Sequence, residues 1–235
     1  MISIEIANLL GFLVFLICII AYGLKLQLGM KHPATSKRGL LNIFYQLWVN
    51  AMADSKNKLE AIQTLRNLIM AVTFLSSTML ILLGILIQTS TESIEDVAFN
   101  FPAITSTAIV QYKLLLLYAV IIISLIMFLL SLRHMVRFSI LIGIPVLDIE
   151  EMGGNKIQNE QNKSCTLNAK ALQSDIFLKA MTRFTIGIRG VYYVVAILLW
   201  FVSAYAFIVA TIFITYILIR YHDIKTPCLD EKTVV

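Results

Sequence analysis

Charge is scarce in this chain, and acid is scarcer than base: 14 Asp and Glu stand against 19 Lys and Arg in 235 residues. Soluble domains are about a quarter charged, so a chain 14% charged and 59% hydrophobic lacks the residues to cover a water-facing globule. Three cysteines, Cys18, Cys165 and Cys228, are too few for a disulfide framework. No H-E-x-x-H or C-x-x-C spacing is present to hold a metal, and no G-x-S-x-G elbow or phosphate-binding glycine loop is present to support acyl or phosphoryl chemistry. His32 and His134 are expected on the opposite side of a membrane from His222, so no metal or cofactor is expected.

What the chain has in quantity is long apolar sequence. Runs at residues 4–24, 65–87, 114–132 and 191–219 each supply the roughly 20 helical residues that cross a hydrocarbon core of about 30 Å. A segment in lipid must satisfy its own backbone, which selects helix over strand. The expectation is an all-α membrane protein, residues 1–235 forming one integral domain with four transmembrane helices. The fourth run exceeds a perpendicular crossing and is expected to tilt. The first run is read as a retained span, because Glu5 stands where a leader would be basic and no A-x-A-like site follows.

Loop charge orients the spans. Residues 25–64 carry Lys25, Lys31, Lys37, Arg38, Lys56, Lys58 and Arg66 at the boundary, and residues 133–190 carry eight Lys and Arg from Arg133 to Arg189. The second loop holds Glu92, Glu95 and Asp96 against Lys113 alone. The positive-inside rule then makes the first and third loops cytoplasmic, in the plasma membrane, with both termini outside. Cys165 and Cys228 fall on opposite sides in that arrangement. The +5 net charge is explained by topogenic residues and anionic headgroups, with no nucleic acid.

Both cytoplasmic loops contain amphipathic helices. Leu41, Phe44, Trp48 and Met52 recur at helical spacing, which suits a helix lying in the membrane interface or packed on its neighbours. Leu172, Ile176, Ala180 and Phe184 do the same on a stretch running into the fourth span. The segment EEMGGNKIQNEQNKS between them is polar, and Asp148, Glu150 and Glu151 read as a solvated turn.

The second span opens on polar residues and carries hydroxyls inside. On a helix, Gln63, Arg66, Asn67, Met70, Thr73, Ser77, Ile81 and Gly84 share one stripe. Its small upper residues, Thr73, Ser77 and Gly84, are expected to pack on the small stripe Ala196, Ser203, Ala206 and Ala210 of the fourth span. Its lower residues, Gln63, Arg66 and Asn67, sit at the cytoplasmic boundary, either as a snorkelling anchor or as a binding cluster. Arg133, Arg137, Arg183 and Arg189 lie at a similar depth and are candidates to complete a basic ring.

Three stretches, WVNAMADSKNKLEAIQTLRN, SLRHMVRFSILIGIPV and FTIGIRGVYYVVAILLW, occur in this order across most of the chain. With QTLRN before a hydroxyl-bearing span and G-x-R-G-x-Y-Y leading to a Trp, the chain resembles the membrane-protein family called domain of unknown function 599. That resemblance implies a multi-pass membrane protein. It supplies no reaction, ligand or catalytic residue.

The span centres hold no Asp, Glu, Lys, His or Pro, the groups that ion-coupled transport ordinarily needs. The expected role is therefore non-catalytic: a subunit, scaffold or assembly factor in contact with membrane lipids and with protein partners or further copies of itself. The alternatives are an oligomeric channel or permease for a small solute and, behind it, an enzyme acting on lipid headgroups at the basic ring.

Overall fold

The computed structural model describes residues 2–31, 37–54, 58–91, 107–152 and 168–223, and among them helix is present and strand is not. The elements are α1 (Ile2–Lys31), α2 (Lys37–Asp54), α3 (Leu59–Thr91), α4 (Thr107–Gly143), α5 (Ala169–Val202) and α6 (Ala204–Ile217), followed by a π-helical stretch, Leu218–Asp223. Four of them, α1, α3, α4 and α5, are long and apolar enough to cross a membrane. They are the four that the apolar runs predict, and the chain is an all-α membrane protein. All four outrun their apolar runs at the start, α4 and α5 by the most. α4 begins at Thr107 instead of 114, and α5 begins at Ala169, fusing the predicted amphipathic stretch to the span in one helix. The expectations that rest on His32, Glu92, Glu95, Asp96, Cys165 and Cys228 fall outside the described residues. Cys18 is a free, half-buried thiol on α1.

The chain divides into two compact units, one of residues Met1–Ile43, Gln88–Val120 and Tyr192–Val235, the other of Phe44–Ile87 and Ile121–Val191. In the second, α2 is held by aromatic packing. Trp48 lies 5.3 Å from Phe177 and 6.5 Å from Phe138, Phe138 and Phe177 are 4.8 Å apart, and Tyr45 meets Phe177 edge-on. Rings at these separations add favourable quadrupole contacts to the area they bury. Val49 and Ala53 complete the buried face of α2, while Phe44 and Leu47 stay exposed. The predicted face of Leu41, Phe44, Trp48 and Met52 is thus rotated: Trp48 and Met52 are half-buried, and Leu41 and Phe44 point away.

The start of α5 is capped by side chains at two of its amides. Asn168 Oδ1 accepts from the Ala171 amide at 3.0 Å, the Asn168 carbonyl accepts from Leu172, and Glu150 Oε1 accepts from Ala169. The two side-chain bonds satisfy amides that a helix start otherwise leaves open, and the Leu172 bond is the first of the helix's own ladder. On the next turns Gln173 donates to the Leu141 carbonyl and Ser131 donates to the Ala180 carbonyl at 2.8 Å, tying α4 to α5. The buried seam of α5 runs Ala169, Gln173, Phe177, Ala180, about one position round from the predicted Leu172 and Ile176.

The first unit contains a reversal of direction. At Ser203 the backbone is extended, φ −159 and ψ 140. Seven residues of straight α-helix rise about 10 Å, yet the rings of Trp200 and Phe207 stack face to face at 4.4 Å. The Tyr193 and Thr215 hydroxyls, 22 residues apart in sequence, lie 3.2 Å from each other, where a straight helix would separate them by about 33 Å. α6 therefore folds back along the end of α5 as a helical hairpin. The single tilted crossing expected for 191–219 is corrected to two helices. The run contains no Pro or Gly at the bend, so nothing in its composition announces it. α6 packs against α1, with Phe207 against Phe15 and over Gly11, where a Cβ would stand 3.2 Å from the Phe207 ring. Phe15 also meets Tyr193 edge-on at 5.7 Å.

Candidate functional site

The structure separates the residues predicted to form a polar cytoplasmic cluster. Gln63, Arg66 and Asn67 are all exposed on α3, and so are Arg133 and Arg137 on α4. Arg183 is half-buried on α5 and donates to Nε2 of His134. A guanidinium can only donate, so in this pair the imidazole nitrogen is the acceptor. Nδ1 itself is buried without a partner among the described residues. The charges of Arg183, Arg137, Lys179 and Arg133 all bear on the ring. The carboxylate of Asp175 offsets one of them, pairing with Lys179 at 2.5 Å. Of the predicted ring the fold brings Arg183 onto His134, while Arg133 and Arg137 stand exposed on the same helix as His134 and within reach of its electrostatics, as does Lys179 of α5. Arg189 is buried at 6% exposure and is not part of the surface.

The predicted small-residue seam is also relocated. Thr73, Ser77 and Gly84 are exposed, and nothing lies within 4 Å of where a Gly84 Cβ would be. Thr73, Ser77 and Thr78 bond the carbonyls four residues back at 2.9–3.0 Å, so their hydroxyls need no neighbouring helix. The face that α3 buries is Ala61, Leu65, Val72, Ser76 and Met79. Of the opposing stripe, Ala196 is buried, Ser203 and Ala210 are half-buried, and Ser203 is the hairpin bend. Close helix approach is built instead at G-x-x-G on α5. A Cβ on Gly187 would stand 2.7 Å from the Phe128 ring, and the Ser124 side chain occupies the place a Gly190 Cβ would need. The two glycines flanking Arg189 thus admit α4, which gives the G-x-R-G stretch a packing role.

A site that the sequence reading missed lies in the first unit. Lys113, assigned to a loop from its charge, is two turns inside α4 and 4% exposed. Its Nζ donates to the Trp200 carbonyl at 3.0 Å and stands 5.3 Å from the centre of the Trp200 ring. The break at Ser203 leaves the last carbonyls of α5 without amides of their own helix, and the ammonium fills that place. Trp200 Nε1 in turn donates to Asn8 Oδ1 at 2.9 Å. Lysine, tryptophan and asparagine from three helices so form one buried polar group around a broken apolar helix. The available signal was that apolar residues, Ile109 and Val110, begin before Lys113 and not after it.

Among the described residues no group of three His, Cys, Asp or Glu is placed to hold a metal ion. No curated protein and no solved structure matches the chain. The model of a protein family of unknown function, DUF599, matches residues 10–227, which include most of α1, the whole of α2 to α6, the G-x-R-G stretch and the Lys113–Trp200 pair. The chain belongs to the DUF599 family.

Proposed function

We propose that the protein is a non-catalytic subunit of a plasma-membrane complex, docking an acidic partner on its cytoplasmic basic cluster. One observation carries this reading: the charges of Arg133, Arg137, Arg183 and Lys179 all bear on His134, Arg183 contacts it directly, and among the described residues Asp175 is the one acid in ionic contact with any of them. Like charges held together repel, and an acidic surface that relieves the repulsion gains affinity and orientation. The exposed guanidiniums of Arg133 and Arg137 offer planar, multi-donor contacts to carboxylates. With the N-terminus outside and the basic loops cytoplasmic, a full crossing by α6 and the π-helical stretch brings Arg220 to the cytoplasmic side. The parallel packing of this hairpin arm on α1 supports that arrangement, which differs from the two external termini expected from loop charge. The test is purification from native membranes in mild detergent, comparing wild type with Arg133→Gln/Arg137→Gln/Arg183→Gln. A defined partner retained by the wild type and lost by the triple variant is expected; a wild type that brings nothing with it counts against the proposal.

A second reading, an oligomeric permease, draws on Lys113. Buried ionisable residues and interrupted helices mark solute paths in many transporters, and here the two meet at Trp200. Saturable solute flux in proteoliposomes, abolished by Lys113→Met with assembly intact, would put this reading ahead of the first.

A further inference from the structure

In the second unit a cavity of about 440 Å³ opens between α2 and the first turns of α5, within the 300–1,000 Å³ typical of small-molecule sites. Its polar groups are unusual in being uncommitted. Gln46 and Asn50, one turn apart on α2, both face it, and neither has a hydrogen-bond partner among the described residues. Ser174 on α5 lines it at 7% exposure. Thr73, Ser76, Ser77, Thr78 and Thr185 all turn their hydroxyls back onto their own helix. Ser174 does not, and its hydroxyl has no partner among the described residues, so it is directed into the cavity. Asn168 spends its Oδ1 on the cap of α5 and keeps its amide N–H groups for the cavity.

The charges at this site are already spoken for. Lys170 pairs with Asp54 at 2.8 Å and Asp175 pairs with Lys179 at 2.5 Å. Of the open amides at the helix start, those of Ala169 and Ala171 are capped from within the chain, which leaves that of Lys170. An anion would find neither a free cation nor the row of open amides that anion sites use, and a cation would have to displace a lysine. Three carboxamides and a hydroxyl remain, each able both to donate and to accept except where Asn168 is capped. No aromatic ring lines the cavity to stack a planar base.

We infer that this cavity binds a neutral, hydroxyl-rich ring, a sugar or cyclic polyol, either free or carried as a lipid headgroup. Gln46, Asn50 and the Asn168 amide bridge adjacent ring hydroxyls, and Ser174 fixes the depth of the ring. The exposed apolar side chains Phe44 and Leu47 on the same helix offer a path for acyl chains if the ring is a headgroup. The inference is independent of the docking role proposed above, since it uses none of the residues of the basic cluster beyond the Asp175–Lys179 pair.

The test uses the full chain in lipid nanodiscs. One arm titrates glucose and myo-inositol; the other compares nanodiscs with and without monogalactosyl diacylglycerol, each followed by saturation-transfer NMR. Saturable binding in at least one arm is expected, weakened about tenfold by Ser174→Val and by Asn50→Leu, the loss of about one well-placed hydrogen bond, and unchanged by Ser77→Val. Binding in the first arm identifies a soluble ligand, and binding confined to the second identifies a headgroup. If Ser174→Val unfolds, Gln46→Leu, at an exposed helical position, serves in its place. No saturable binding in either arm, binding that survives the substitutions, or tighter binding of inorganic phosphate than of every ring would overturn the inference.

Discussion

Gly84 and Gly187 both lie inside apolar helices, and the structure predicts opposite consequences when each becomes alanine. In a helix interior Gly→Ala contributes about 0.5–1 kcal/mol through reduced backbone freedom in the unfolded chain. At Gly84 the new methyl meets nothing within 4 Å, so that gain is all there is, and Gly84→Ala should stabilise by about 0.5–1 kcal/mol. At Gly187 the methyl would stand 2.7, 2.8 and 3.0 Å from three atoms of the Phe128 ring. Phe128 is fully buried and backed by Phe184, ring centres 6.2 Å apart, so it cannot swing aside cheaply. Overpacking of this kind costs about 1–3 kcal/mol. Set against the same backbone gain, Gly187→Ala should be destabilising by up to about 2 kcal/mol. The difference between the two variants cancels the backbone contribution and isolates the clash, about 1–3 kcal/mol. The assay is unfolding by SDS titration in mild-detergent micelles, followed by far-UV circular dichroism. Phe128→Leu should rescue Gly187→Ala, with a coupling energy above about 0.5 kcal/mol in the double-mutant cycle. Equal effects at Gly84 and Gly187, or no coupling to Phe128, would refute the placement of the α4–α5 seam.

The remaining expectations concern the hairpin, the buried lysine and the aromatic cluster. Spin labels at Val195→Cys and Phe213→Cys, in a chain whose native cysteines are replaced, should report a separation under about 20 Å by double electron–electron resonance, because packed helix axes lie 8–10 Å apart; a straight helix would give about 27 Å. Lys113→Met exchanges the bond to the Trp200 carbonyl for relief from burying an ammonium, so stability in detergent should change by less than about 2 kcal/mol. Lys113→Glu sets a carboxylate against a carbonyl and a ring face and should cost at least about 3 kcal/mol; the same small change in both would mean that the side chain is not buried there. Phe177→Ala removes a ring that touches Tyr45, Trp48 and Phe138 and should cost about 3–5 kcal/mol in the same titration, and a loss under 1 kcal/mol would mean that α2 is not docked through it.

The apolar runs alone determined that the chain is helical and membrane-embedded, because hydrocarbon leaves a lone segment no other way to satisfy its backbone. They also placed α1, α3 and the centre of α4, while the stretches around QTLRN and G-x-R-G-x-Y-Y pointed to the family to which the chain belongs. Which face of each helix is buried was decided by the tertiary structure. In water an amphipathic stripe points inward, but lipid is as apolar as a protein core, so Leu80 facing outward and Val72 facing inward look alike in sequence. The hydroxyls of Thr73 and Ser77 suggested a packing face and in fact bond their own helix, whereas the true seam at Gly187 and Gly190 depends on Phe128 and Ser124, about 60 residues earlier. The bend at Ser203 carries no breaker residue, and its cause is long-range: Trp200 on Phe207, Tyr193 on Thr215, and Lys113 on the carbonyl that the break exposes. Those contacts join parts of the chain as far apart as Asn8 and Trp200, and no periodicity within a single helix encodes a partner on another.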